Sequence, residues 1–200
     1  MKSLEVAFNQ QRQLLSDLVD VAAYKLGGTN VFTEGIFGVD HLLVGGLSSR
    51  QVINGSKACV SGRCELELVA RVRMSGSDFE VDKWFWGLEF PDFTATIEPN
   101  SASSAISNNL SSGYLHLLRE HGGLSEQHQT YDVSLDGVPV AGVHDTRNLI
   151  ATPQQLVAQA LGLLKEWSYP ISDGLLVATG GLGTLFEVKK GQSMVCEVLS

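Results

Sequence analysis

The sequence is poor in cysteine. Cys59, Cys64 and Cys196 are an odd number, and no CxxC spacing occurs. That pattern predicts neither a disulfide framework nor a thiolate zinc site. Unpaired thiols suit a reducing compartment, so the reading predicts a cytoplasmic chain. Positive charge is scarce as well: 14 Lys and Arg stand against 22 Asp and Glu, a formal net charge of −8. Such a chain repels phosphate backbones, so nucleic acid is a poor partner. There is no run of about 18 uncharged apolar residues, so no membrane helix is predicted. The opening MKSLEVAFNQQ meets Glu5 and Asn9 too early for a signal peptide. No GK[ST] follows the glycines at 180, 181 and 183, and no GxSxG is present, so a phosphate loop and a serine nucleophile elbow are absent.

What is present is a core-forming composition, 44% hydrophobic and 18% charged. It excludes disorder. Leu4, Phe8, Leu15, Leu18 and Ala22 recur at helical spacing, which predicts a helix over 4–25, stopped by Gly27 and Gly28. Residues 28–57 read as loops with short strands. CELELVARVRM, from Cys64, reads as a strand, and WFWGLEFPDFTATI (84–97) as another, with Pro91 at an edge or bulge. Residues 101–113 read as a loop or short helix, and 114–121 (YLHLLREH) as one or two helical turns. YDVSLDGVPVAG reads as a hairpin turning at Asp136-Gly137. A helix over 153–167 follows, with Thr152 as N-cap, Pro153 first and Gln155 closing a capping box. Two strands, DGLLVATG and SMVCEVL, end the chain. The sum is an α+β domain weighted to β, taken as a helical segment over 1–27 and a β-rich body over 28–200.

The chemistry-bearing pattern is Glu65-x-Glu67. On a strand both carboxylates point to one face, roughly 7 Å apart at Cα. Such neighbours repel unless they are solvated, protonated or bridged by a cation. Oxygen ligands select a hard ion such as Mg²⁺ or Mn²⁺. Glu89, set among Trp84, Phe85, Trp86 and Phe90, is a third candidate ligand. The competing reading is a solvated acidic face, which this spacing also fits.

Taken in order, AYKLGGTN (23–30), GVDHLLVGG (38–46), CELELVA (64–70), GLEFPDF (87–93) and ISNNLSSG (106–113) resemble the hydratase and decarboxylase branch of the fumarylacetoacetate hydrolase superfamily. DGLLVATGGLG and VKKGQSMVCEVL are similar to that family's closing strands. The resemblance spans about residues 20–200. It implies a mixed β-roll or β-sandwich core with flanking helices. It also implies a divalent metal on Glu65, Glu67 and Glu89, and a 2-oxo or 2-hydroxydienoic acid substrate. Lys25 would be the proton carrier or carboxylate anchor; the alternative is a lysine complementing a helix end. Asn109, Ser111, Ser112, Gly180 and Gly181 would contact substrate, although the serines could equally cap a helix.

The implied activity is that of a metal-dependent hydro-lyase, with a decarboxylase or C–C hydrolase as second reading and a non-catalytic assembly subunit as third. Family members are oligomers, which implies a homo-oligomer. The chain departs from the family at Leu42, Leu43 and Val44, where an acidic residue often stands, and at Asn108-Asn109, where the family has Asp-Asn. These departures bear on water addition and substrate rather than on the ligand positions. His121 with Glu120 or Glu126 is a weaker candidate for a water-activating dyad, against a solvated surface pair.

Overall fold

The computed structural model describes residues 2–18, 20–31, 42–75, 78–94, 101–124 and 128–199. A 14-residue strand β4 (Gly62–Ser75) and a 13-residue strand β5 (Asp78–Phe90) run antiparallel at its centre. β4 alternates in the way a strand covered on both faces requires. Cys64, Leu66, Leu68, Ala70 and Val72 enter the main core. Val69 enters a second apolar cluster on the opposite face, with Ala23, Leu47, Leu115, Leu117, Leu176 and Ala178. Glu65 and Glu67 share that second face with Val69.

Around this pair the main sheet has the order β2-β1-β10-β4-β5-β6-β3, with β11 (Phe186–Val188) also pairing β4. Its other members are β1 (Val21–Gly27), β2 (Leu43–Ser48), β3 (Val52–Asn54), β6 (Tyr114–His121) and β10 (Leu176–Gly181). The β1–β10 and β3–β6 pairs are parallel and the remainder antiparallel. A smaller sheet joins β7 (Thr130–Leu135), β8 (Val138–Pro139), β9 (His144–Asp145) and β12 (Met194–Val198). It covers the outer face of the main sheet, where the Tyr131 ring meets Trp86 edge-on at 4.6 Å. Helices α1 (Lys2–Asp17), α2 (Ala102–Ser107) and α3 (Pro153–Glu166) flank the sheets. Phe8 of α1 stacks on Trp167 with centroids 4.0 Å apart. The α+β class and the curled, two-sheet core agree with the expectation.

The local signals that held are those with a stereochemical cause. Thr152 Oγ1 accepts from Gln155 N at 3.3 Å while the Gln155 side chain accepts from Thr152 N at 3.0 Å, closing the capping box in front of Pro153. The Asp136-Gly137 turn has φ of 50° and 80°, the left-handed pair that a two-residue hairpin needs.

Two expectations are corrected. The helix predicted over 4–25, and with it the helical segment over 1–27, ends at Asp17; residues 21–27 form β1 inside the main sheet. Ala22, Ala23, Leu26 and Lys25 are tolerant of helix, but β1 lies between β2 and β10 and takes ladder bonds from both. Likewise YLHLLREH is strand β6, not a helical turn, because β5 and β3 pair it on both sides. Leu and Glu favour helix only where no sheet edge competes.

Candidate metal centre

Three elements converge on the inner face of the curled sheet. β4 brings Glu65 and Glu67, β5 brings Glu89, and β1 brings Lys25. Glu65 and Glu89 are direct cross-strand partners, and Glu67 lies opposite Gly87. Partners directly opposite share a face, so all three carboxylates point the same way. A side chain at Gly87 would press within 2.5 Å of Val69. Each glutamate offers an oxygen such that the three atoms lie within 4.8 Å of one another. Glu67 and Glu89 are 2% and 1% exposed, and Glu65 is half-buried.

The pair Glu65 and Glu67 therefore does not form a solvated acidic face. Burial first, and repulsion from Glu89 next, push Glu65 up to about 7, with Lys25 pulling it down. Glu67 is pushed well above the carboxylate range by burial, Glu89 and Glu65, against a hydrogen bond from Gly180 N at 2.9 Å. Burial raises Glu89 too, although Lys25 Nζ donates to its Oε1 at 2.8 Å. Lys25 itself is 7% exposed. It sits mid-strand, in register with Ala178 and Gly45, so it does not serve a helix end.

A pocket of about 190 Å³ opens beside Glu65. Lys25, Gly28, Thr29, Asn30, Leu110, Ser111, Gly180 and Gly181 are among its walls. At Gly181 a Cβ would stand 2.9 Å from the Glu65 carboxyl carbon. At Gly180, with φ of 100°, it would collide with the Thr29 hydroxyl. These two glycines let the β10 backbone come against Glu65 and Thr29, and a side chain at either position would collide with them.

The structure thus brings Lys25, Glu65, Glu67, Glu89, Ser111, Gly180 and Gly181 together. Asn109 and Ser112 stand off the pocket wall. Asn109 clamps the peptide at Gly46, accepting from Gly46 N and donating to Gly46 O, each at 2.8 Å. Ser112 Oγ donates to Asn109 O at 2.6 Å. His121 and Glu120 do not form the expected dyad: His121 is buried against Trp86 and Tyr131, while Glu120 pairs with Lys83 at 2.7 Å. Glu126 lies outside the described residues.

Sequence reasoning missed Gln11. It is fully buried; its Nε2 donates to Val44 O at 2.6 Å and Asn109 Oδ1 at 3.2 Å, and its Oε1 accepts from Tyr169 Oη at 2.6 Å. The bonds support a strained turn. Asn109, Leu110 and Ser111 have φ of 49°, 53° and 52°, and Leu and Ser rarely adopt such values. A glutamine among the apolar positions of α1 was the available signal. Gln11→Leu leaves Val44 O and Tyr169 Oη without this partner. It is expected to cost about 1–3 kcal/mol, read as a lower urea midpoint at constant slope; an unchanged midpoint would show the network to be dispensable.

No protein-family profile matches the sequence, and no curated protein is similar to it at a significant level. Solved structures are. 4-Oxalocrotonate decarboxylase from Pseudomonas putida G7, complexed with magnesium and adipate, superposes with a TM-score of 0.73 at 17% identity, covering 98% of this chain and 81% of that one. 5-Carboxymethyl-2-hydroxymuconate delta-isomerase from Mycobacterium smegmatis gives 0.53 at 11%, over 90% and 74%. A fumarylacetoacetate hydrolase family protein from yeast gives 0.53 at 12%, over 96% and 90%. No helix among the described residues is long and apolar enough to cross a membrane. The order of the strands, the curl of the main sheet and these likenesses give one conclusion: the chain has the fold of the fumarylacetoacetate hydrolase superfamily.

Proposed function

We propose that this chain is a divalent-metal-dependent enzyme of that superfamily acting on small 2-oxo or 2-hydroxydienoic acids, a hydratase-like lyase that adds water to a dienoate. One observation carries the reading: three carboxylates within 4.8 Å face a single ammonium, that of Lys25. With all three ionised, the carboxylates carry two negative charges more than Lys25 neutralises, and a dication balances them. The donor set fits, being all oxygen, as Mg²⁺ or Mn²⁺ prefers.

Glu65, Glu67 and Glu89 would hold the ion, and Gly180 N orients Glu67. Bound there, Mg²⁺ or Mn²⁺ would supply Lewis-acid polarisation to a substrate's 2-oxo oxygen. Lys25, tethered to Glu89 on the pocket wall, would hold or carry the proton of enolisation. Ser111, which lines the same pocket as Lys25, would meet the substrate carboxylate, and Gly180 and Gly181 leave room for its carbon chain. The ligand in this reading is a small anionic 2-oxo acid rather than a nucleic acid, and the protein works in the cytoplasm as a homo-oligomer.

The likeness to 4-oxalocrotonate decarboxylase favours a second reading, in which the far carboxylate of a 2-oxo-3-enedioic acid leaves as carbon dioxide and its bonding pair passes through the conjugated double bond to the 2-oxo oxygen, giving a dienolate that is then protonated. The test is turnover of 2-hydroxypenta-2,4-dienoate and of 2-oxohex-3-enedioate, with products read by NMR before and after EDTA and Mg²⁺ add-back. Metal-dependent turnover is expected, and Glu65→Gln is expected to abolish it. Turnover insensitive to EDTA, or none on either acid, would overturn the enzyme reading.

A further inference from the structure

Gln11 of α1 does not line the pocket, yet its amide belongs to a line of side chains that ends beside it. Tyr169 Oη donates to Gln11 Oε1 at 2.6 Å. Gln11 Nε2 donates to Val44 O at 2.6 Å and to Asn109 Oδ1 at 3.2 Å. Asn109 Nδ2 donates to Gly46 O at 2.8 Å, and its Oδ1 accepts from Gly46 N. A backbone carbonyl can only accept, so Val44 O and Gly46 O each fix which way an amide points. The line therefore has one arrangement. Its far end is anchored as well: the Tyr169 ring stacks on Tyr24 with centroids 6.2 Å apart, and Tyr24 precedes Lys25 in β1.

What the line holds is a wall. Asn109 opens the turn whose next two residues, Leu110 and Ser111, face the pocket with Lys25 and Glu65. With positive φ at all three positions, the shape of this turn is imposed from outside rather than preferred. It lies flush on β2: a Cβ at Gly45 would stand 2.5 Å from Asn109 O and 2.8 Å from Leu110 Cβ. Gly45 is the register partner of Lys25. Downstream, Asp92 N donates to Ser111 O at 2.8 Å, and Gln51 Nε2 donates to Gly113 O at 2.8 Å. Upstream, the hold is the Asn109 clamp on Gly46, braced by Gln11. Among the described residues, the three glutamates and Lys25 share no hydrogen bond with this line; β4, β5 and β1 place them.

We infer that Gln11 is a positioning residue for the pocket: through Asn109 it holds Leu110 and Ser111 in place, and so sets the affinity for the organic acid but not for the metal. This rests on the proposed metal-dependent reading, in which Ser111 meets the acid. Without the Gln11 amide, Asn109 keeps Gly46 but loses its brace, and the turn relaxes toward the negative φ that Leu and Ser favour. Leu110 and Ser111 then leave the positions that shape the pocket. The carboxylate cluster, built on other strands, is untouched.

The experiment is isothermal titration calorimetry on the full chain, first with Mg²⁺ alone and then with 2-oxopentanoate on the Mg²⁺-loaded protein. Amide hydrogen exchange is followed at Ser111 and Ser112, which donate to Asn108 O and Asn109 O at 3.1 Å each. Gln11→Met keeps the length of the side chain and removes the amide. It is expected to bind Mg²⁺ as wild type does and to exchange both amides faster. Its 2-oxopentanoate affinity is expected to fall about tenfold, the size of one charge-assisted hydrogen bond. Asn109→Ala is expected to weaken the acid at least as much, and adding Gln11→Met to it to cost nothing further, because Gln11 acts through Asn109. Val157→Ala, buried on α3, is the stability control: a lower urea midpoint with unchanged acid binding. Tyr169→Phe removes one hydroxyl and leaves the ring; a loss of about threefold in acid affinity is expected, and this variant decides the matter if Gln11→Met does not fold. Unchanged acid binding in the deciding variant, losses that add in the double variant, or an equal loss of Mg²⁺ affinity would overturn the inference while the metal site stands. Absence of Mg²⁺ or 2-oxopentanoate binding in wild type would instead overturn the proposed function, and this inference with it.

Discussion

Glu67→Gln is expected to stabilise the metal-free protein and at the same time remove most of its response to Mg²⁺. The two effects have one origin. Glu67 is 2% exposed and stands with Glu65 and Glu89 inside 4.8 Å. Without a cation its charge is penalised by burial and by both neighbours. An amide of the same shape keeps the acceptor that Gly180 N uses at 2.9 Å. It also turns an NH₂ toward two carboxylates, replacing repulsion with hydrogen bonds. With Mg²⁺ the balance reverses. A ligand present at about a hundredfold its Kd adds about 2.7 kcal/mol to the folded state. In a chain of this size each kcal/mol moves Tm by about 2–4 °C. Wild type should therefore gain about 5–10 °C with saturating Mg²⁺, and the variant little. Metal affinity should fall by more than the roughly 10–100-fold that loss of a supporting partner costs, because here a ligand itself is lost. Differential scanning calorimetry with EDTA and with Mg²⁺ reads both numbers. A metal-free variant less stable than wild type would show that the three charges are not in conflict.

Lys25→Met should do the opposite. The Lys25–Glu89 bridge, at 2.8 Å with side chains 9% and 1% exposed, is one of the most enclosed ion pairs described in the protein. Removing the ammonium leaves Glu89 buried with two like charges. Breaking a buried pair costs about 3–5 kcal/mol, with protonation of the carboxylate as the available relief. Methionine fills much of the same space, so the loss is electrostatic rather than a cavity. Mg²⁺ is expected to recover much of that stability, because the ion takes over the neutralising role. It is not expected to recover turnover, which should remain about 10²–10⁴-fold below wild type if Lys25 moves the proton. Paired unfolding curves and single-turnover assays separate the two. Full turnover in a folded, Mg²⁺-stabilised Lys25→Met would remove Lys25 from the chemistry.

These two variants also mark how far the sequence could be read. Glu65 and Glu67 were recognisable as a pair because strand alternation has a period of two, whatever the tertiary context. Glu89 was visible as a charge among aromatic residues. Their convergence was not visible, since it depends on the β4–β5 register that sets Glu65 against Glu89. Lys25 was read from a resemblance, and its expected secondary structure was wrong: Ala, Leu and Lys are compatible with helix, and only β2 and β10 on either side make 21–27 a strand. Residues 114–121 failed for the same reason. Asn109 is read from the sequence as a substrate contact, and the structure shows its side chain bonded to the Gly46 peptide. An asparagine next to a pocket and one clamping the Gly46 peptide look alike until its partners are placed. Gln11, nearly a hundred positions from Asn109, offered only its polarity on an apolar helix face.

By itself the sequence determined what rests on neighbours along the chain. The α3 cap and its capping box, the Asp136-Gly137 turn and the common face of Glu65 and Glu67 all follow from the stereochemistry of a few consecutive residues. Only the tertiary structure decided that Glu89 and Lys25 meet that pair and that Gly180 and Gly181 open the pocket beside it. Those contacts join strands far apart in sequence, and pairing between strands is chosen by burial of both sheet faces together, a free energy that no local window contains.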